Sequence, residues 1–303
     1  MALTVGTHSG TFHADDVLAF ALLRAFVDDE ATVVRTRDPE VLDTCDVVVD
    51  VGGSYDPEAR RFDHHQGTYR GPRSSAGMVL DWLESSGTVT ADLAHHLRHR
   101  MVDYIDAVDT GREAPRVDVP CFARMVEAIG DGTDTAQDQQ DAFLVAAGIG
   151  RILIDGLVAG HERVCEARAA VRRAMDEAVR DGRSVIFLDR YHPWKPVYFE
   201  YGGREHPTDF VLFPSEDATW KVVAIPPELG CFDQKRPLPA SWAGKMREEL
   251  EAATGIPGSV FCHKNRFIAV FSTKEGAIEA LKREGLYAAR PAAPAGCGST
   301  PAA

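Results

Sequence analysis

In the N-terminal part of the chain, apolar and polar positions alternate between two periods. Leu3-Thr-Val5 reads as a short strand running into a polar turn. Asp16 to Phe26 then carries apolar residues at helical spacing: Val17, Leu18, Ala21, Leu22 and Ala25. Thr32-Val-Val-Arg-Thr36 predicts a second strand and Asp46-Val-Val-Val-Asp-Val51 a third. The β-branched run of the third, bounded by Gly52-Gly53, fits a strand buried on both faces. Arg60-Arg-Phe62 leads into Asp63-His-His65, and Ser75 to Glu84 and Ala91 to Tyr104 predict helices. Alternation of this kind predicts an α/β domain with a parallel sheet covered by helices.

From Thr135 to Asp181 the pattern is wholly helical. Thr135 is the expected N-cap, and Ala142, Leu144, Val145, Ile149, Ile152 and Leu153 supply a broad apolar face. Glu162 to Arg180 is rich in Ala, Arg and Glu and stops before Gly182. The period then changes to two, predicting strands at Ser184–Leu188, Val197–Phe199, Phe210–Phe213 and Trp220–Ile225, with helices at Ala243–Thr254 and Thr273–Glu284. The expected organisation is a catalytic domain over 1–134, a helical connector over 135–182 and a smaller C-terminal α+β domain over 183–287. The Ala/Pro/Gly-rich tail over 288–303 is expected to be disordered.

Composition narrows the function. The 303 residues are 45% hydrophobic and 26% charged, an ordinary globular balance, but the net charge is −13. A chain this acidic does not coat nucleic acid through bulk charge, so a polyanion has to be held by a local basic patch or by metal ions. No basic and apolar leader is visible at the start, and Arg151 interrupts the longest apolar stretch, Ala142 to Ile154, well short of a membrane span. The cysteines, at 45, 121, 165, 231, 262 and 297, form no CxxC pair. The expectation is reduced thiols, a cytoplasmic location and no membrane contact, with homo-oligomerisation left open.

Chemistry concentrates in four clusters: Gly6-Thr-His8-Ser-Gly-Thr-Phe-His13-Ala-Asp15-Asp16, Asp50, Asp63-His64-His65, and Asp103-Tyr-Ile-Asp106-Ala-Val-Asp109-Thr-Gly111. In an open parallel sheet, loops leaving the carboxyl ends of neighbouring strands meet in one crevice. Carboxylate and imidazole without thiolate suit Mn²⁺ or Mg²⁺ better than structural Zn²⁺. The donors exceed what one ion needs, whereas two ions sharing an Asp would use them all and stabilise both oxygens of a phosphoryl displacement. A single Asp at a strand end is ordinary turn chemistry; four clusters in register are not. His95, His96 and His99 have no glutamate base between them and read as a solvated helix face.

Asp63-His64-His65 resembles the defining motif of the DHH phosphoesterase superfamily, and the other clusters follow in that superfamily's order. Gly6–Asp15, Asp63-His-His-Gln66 and Ser74-Ser-Ala-Gly77 resemble, more narrowly, the Myg exonuclease branch. So do Pro193-Trp-Lys195, Lys235-Arg-Pro-Leu-Pro239, Gly255-Ile-Pro-Gly258 and Phe261–Gly276, so the resemblance covers residues 3–286. It implies a two-domain metal-dependent phosphodiesterase, a 3′-to-5′ exonuclease on short single-stranded RNA or DNA. A small-molecule phosphatase or pyrophosphatase is the alternative, and a non-catalytic metal-binding protein the third.

Carried over, the resemblance makes His8, His13, Asp15, Asp50, His64 and Asp109 ligands of two divalent ions, with Asp50 as the bridge. His13 stands where several branches have a carboxylate, and Asp106 competes with Asp109 for the fourth position. Asp63 is expected to orient a neighbouring histidine, and His65 to touch the phosphate or donate a proton. Ser74 and Ser75 are expected either to cap their helix or to hold a phosphate. In the second domain Lys195, Lys235, Arg236, His263, Lys264 and Arg266 are the candidates for gripping a phosphodiester backbone, with that domain expected to close over the first. The Gly-Gly-Gly-His stretch with which many relatives grip nucleotide is absent.

Overall fold

A computed structural model of the protein describes residues 2–289. It divides into two compact units, Met1–His161 and Glu162–Ala303. In the first, β1 (Thr4–Thr7) leads through a polar loop to α1 (Ala14–Phe26) and β2 (Thr32–Arg35). There follow α2 (Pro39–Leu42), β3 (Val47–Val49), β4 (Tyr55–Asp56), β5 (Arg61–Phe62), α3 (Ser75–Ser85) and α4 (Ala91–Leu97). A π-helical stretch, Arg98–Val102, joins α4 to α5 (Asp103–Asp109), and α6 (Phe122–Gly130) and α7 (Ala136–Arg180) come next.

The sheet order is β2-β1-β3-β5-β4. Strands β1, β2, β3 and β5 are parallel, with Val5 opposite Val33 and Val47, and β4 closes the edge antiparallel. Val47, Val48 and Val49 are all buried, as the uninterrupted β-branched run requires. Helix α1 is buried continuously from Asp15 to Leu23 and packs on the core with α3. Parallel strands necessarily end on the same side, so the loops after β1, β3 and β5 open together.

Helix α7 runs through the boundary between the units, so the stretch expected as a connector contributes to both. Its packed face differs from the expected one. Phe143, Ala146, Ala147 and Ile154 are buried, whereas Leu144, Val145, Ile152 and Leu153 face outward. The reason is close approach: a Cβ on Gly150 would lie 3.2 Å from Ala21 Cβ, so the small-residue side fits against α1. Among the described residues α7 is the one helix long and apolar enough to cross a membrane.

The second unit contains β6 (Val185–Phe187), α8 (Trp194–Glu200), β7 (Phe210–Pro214), β8 (Trp220–Ala224), α9 (Arg247–Thr254), β9 (Ser259–Cys262), β10 (Ile268–Phe271) and α10 (Lys274–Arg283). The order is β6-β7-β8-β10-β9, antiparallel except for β6 with β7. The strand expected at Val197–Phe199 is helical, because Trp194, Val197 and Tyr198 bury one side of α8 at spacings of three and four. The helix expected from Ala243 begins only at Arg247, after a 3-10 turn at Ala240–Trp242. Of the tail expected to be disordered, Ala288 bridges Arg183 and the Ala289 amide donates to the Gly182 carbonyl; residues 290–303 lie outside the described residues.

Candidate metal centre

Asp50 follows β3 in a left-handed backbone conformation, φ 58°, which a non-glycine residue adopts at a cost of about 1–3 kcal/mol. The turn aims its carboxylate into the cluster and lets the Asp50 amide donate to the Phe62 carbonyl. Oδ2 lies 3.3 Å from His8 Nε2, and Oδ1 lies 3.3 Å from His64 Nε2 and 3.5 Å from His65 Nδ1. His8 and His64 arrive on the loops after β1 and β5. His64 Nε2 is also 2.9 Å from Asp109 Oδ2, at the end of α5, and 3.7 Å from Asp15 Oδ2, in the first turn of α1.

Three donor groups, each within 4.8 Å, therefore interlock: His8, His13 and Asp50; Asp50, His64 and His65; and His13, Asp15 and Asp109. All six residues expected as metal ligands fall in this cluster. Asp50 and His13 each belong to two groups, the sharing that adjacent ions would need.

The donors fit divalent cations on two further grounds. Asp15 and Asp16 are wholly buried, Asp50 nearly so, and Asp109 lies beside them, so the carboxylates outnumber any compensating side-chain cation. Isolated buried carboxylates cost several kcal/mol each. In addition, Asp15 Oδ1 has no hydrogen-bond partner, and His64 Nε2, although close to three carboxylates, makes no hydrogen bond of acceptable geometry. Ligand atoms of this kind, without protein partners and converging on one point, suit a metal ion.

The titration directions agree. Burial would lower His64, but the adjacent Asp109 and Asp50 carboxylates outweigh it and push the imidazole up to about 10. Burial would raise Asp50, but His64 and His8 hold it well below the usual carboxylate range. Asp15 goes well above that range, first through burial and then through the Asp50, Asp109 and Asp16 charges. Protons gather where positive charge is wanted.

The remaining expected residues separate into two sets. Asp63 accepts from the Gly53 amide at 2.6 Å and from His65 at both its amide, 3.1 Å, and Nδ1, 2.8 Å. His65 is thereby held with its ring 63% exposed, facing solvent at the edge of the cluster. Asp106 does not join the metal donors. Oδ1 accepts from the Ser74 amide and hydroxyl and the Gly77 amide at 2.8–3.1 Å, and Oδ2 meets Arg73 at 3.3 Å. It braces the N-terminus of α3, whereas Asp109 is the one of the two that lies among the clustered donors.

Ser74 and Ser75 are fully buried and cannot present hydroxyls to a phosphate; the Ser75 hydroxyl donates to Asp50 Oδ1 at 3.1 Å. In the second unit, Lys235 Nζ donates to the Tyr198 hydroxyl and to the Gly203 and His206 carbonyls. Arg236 donates to the Gly285 carbonyl, and Arg266 reaches the Leu238 carbonyl. These three cations are engaged in holding loops. His263 stacks on Phe267 at 4.6 Å and accepts from the Asn265 amide, whereas Lys195 and Lys264 are exposed.

Asp16 and Gly77 lie in the motifs singled out from the sequence but carry roles that the sequence alone does not assign. Asp16 is wholly buried, accepts from the His13 amide at 2.9 Å and lies 3.4 Å from His8 Nε2. It is the capping-box residue of α1 and an orienter of the His8 loop; its position three residues after His13 was the available signal. Gly77 is required because a Cβ there would sit 2.2 Å from Asp106 Oδ2.

Comparison with known proteins sets the chain among relatives. The MYG1_exonuc profile, described as Uncharacterised protein family (UPF0160), matches residues 4–284. The MYG1 protein of Chlamydia trachomatis is 40% identical, with 92% of this chain and 95% of the relative covered. The MYG1 exonuclease of Homo sapiens is 32% identical over 90% of this chain and 83% of its own length. Among solved structures, RecJ of Thermus thermophilus in complex with Mn²⁺ aligns over 92% of this chain at 15% identity and a TM-score of 0.28; the chain spans about half of that protein. With the profile matched over nearly its whole length and relatives at 40% and 32% identity, the chain belongs to the MYG1_exonuc family.

Proposed function

We propose that the chain is a metal-dependent phosphodiesterase, a 3′-to-5′ exonuclease on short single-stranded RNA or DNA, with two divalent ions, Mn²⁺ foremost and Mg²⁺ as the alternative. The observation that carries this reading is the interlocking of three donor groups through Asp50 and His13. The relatives named MYG1 exonuclease support the substrate class.

On this reading His8, His13, Asp15, Asp50, His64 and Asp109 hold the ions. Bound there, the ions would supply Lewis-acid stabilisation of the phosphate and a more acidic water. The protein's own contribution is orientation. Asp63 fixes the His65 ring through Nδ1, leaving Nε2 as the proton donor or hydrogen-bond partner for the leaving oxygen. Ser75 and Asp16 hold Asp50 and the His8 loop from behind. Exposed Lys195 and Lys264 are the remaining candidates of the second unit for phosphate contacts, and a reducing, cytoplasmic setting suits the five cysteines that form no disulfide among the described residues.

A small-molecule phosphatase or pyrophosphatase is the second reading. The engagement of Lys235 and Arg236 with carbonyl groups favours it, because it removes two of the expected contacts to a long backbone. A metal-by-substrate screen decides between the two. RNA shortened one nucleotide at a time with Mn²⁺ supports the exonuclease, and release of inorganic phosphate alone supports the alternative. Absence of turnover on every substrate contradicts both.

A further inference from the structure

A cavity of about 700 Å³ lies beside the metal donors, entirely within the first unit, and His13 and Asp109 form part of its lining. That volume falls within the range of about 300–1,000 Å³ in which pockets enclose a small ligand. Its walls are of two kinds. Phe12, Ile105 and Val126, all buried, and the half-buried Val108 make an apolar side suited to the flat face of a base. Thr133 and Gln139 add neutral hydrogen-bonding groups.

The charges lining this cavity decide what enters. Asp109 belongs to the metal donors and Glu127 is paired with Arg124, which leaves Asp131 as the lining carboxylate whose charge is not taken up among the described residues. A phosphate next to this wall is repelled, whereas sugar hydroxyls can donate to it. We propose that the cavity receives the terminal nucleoside of the substrate, neutral and ending in a free hydroxyl, while its linking phosphate stays at the metal donors. This proposal rests on the phosphodiesterase reading above and adds a source of exonuclease character. A chain continuing beyond that nucleoside would carry its next phosphate in among the carboxylates.

The test compares two pentaribonucleotides, one ending in a 3′-hydroxyl and one in a 3′-phosphate, with the full-length Mn²⁺-loaded protein. The hydroxyl form is turned over at least about tenfold better in kcat/KM, and Asp131→Asn narrows that ratio. Equal turnover of both forms by the unaltered protein overturns the proposal. A second readout is independent of cleavage: equilibrium dialysis of adenosine against the Mn²⁺-loaded protein. Ala123→Phe, placed at the wall of the cavity, weakens adenosine binding about tenfold or more. Unchanged adenosine binding in Ala123→Phe, with the melting profile preserved, overturns it. Should neither RNA be cleaved, the phosphodiesterase reading fails, and the dialysis result alone decides the pocket.

Discussion

Lys235 in the second unit and the Asp50 cluster in the first show two ways of placing charge away from water. In the second, buried or half-buried polar groups such as Lys235 and Ser184 find backbone carbonyls, so their fields are closed locally. In the first, Asp15, Asp50, His8 and His64 are gathered at strand and helix ends with more negative charge than neighbouring cations can balance. Local satisfaction reads as structure. A buried imbalance held in place by strained backbone at Asp50 reads as a site suited to a cation.

This contrast can be broken most sharply at Asp50. Asp50→Asn removes the carboxylate shared by two donor groups, and Mn²⁺-dependent hydrolysis should fall by about 10³-fold or more with the melting profile of the metal-free protein kept. Retained turnover would remove Asp50 from the centre. Within the same unit, Asp106 and Asp109 should behave as opposites. Asp106→Ala strands the Ser74 and Gly77 amides and Arg73, and should cost about 3 kcal/mol in urea unfolding. Asp109→Ala should cost metal affinity, read by calorimetry, with a smaller loss of stability than Asp106→Ala, since the pairing it loses with His64 is partly offset by relief of a charge beside Asp15. The reverse pattern would exchange their roles.

The second unit supplies the matching control. Lys235→Met removes three donated hydrogen bonds and should destabilise by about 1–3 kcal/mol without changing KM for an oligonucleotide. A raised KM at full stability would return Lys235 to the substrate site.

The smallest effect expected is a pH dependence. His64 sits near 10 in the folded metal-free protein and near its ordinary value of 6.5 when unfolded. The stabilisation it gives is complete below 6.5 and is lost as pH rises through 10. Metal binding has to displace that proton. Mn²⁺ affinity should therefore weaken as pH falls from about 10 through neutrality, and calorimetry in buffers of differing ionisation enthalpy should record proton release at pH 7.5. Binding without proton release would contradict the assignment of His64 as a ligand.

Much of the parallel-sheet unit was legible because its signals are local. The β-branched run at Val47–Val49 and the apolar spacing of α1 follow from period alone, and clusters after strands converge by topology. What escaped depended on tertiary partners. Val197–Phe199 reads as alternating, yet Trp194 and Val197 bury one side of a helix. Lys235 and Arg236 look like phosphate contacts until the Gly203 and Gly285 carbonyls are folded against them. Asp106 and Asp109 lie one helical turn apart on α5. Only the position of α3, beside Asp106, separates a brace from a metal donor.

The central claim is tested most directly by anomalous diffraction at the manganese edge from crystals grown with Mn²⁺. Two peaks are expected, both contacted by Asp50, with His8 and His13 near one and His64 and Asp109 near the other. Peaks confined to other surfaces, with Asp15 and Asp50 bearing no manganese, would contradict it.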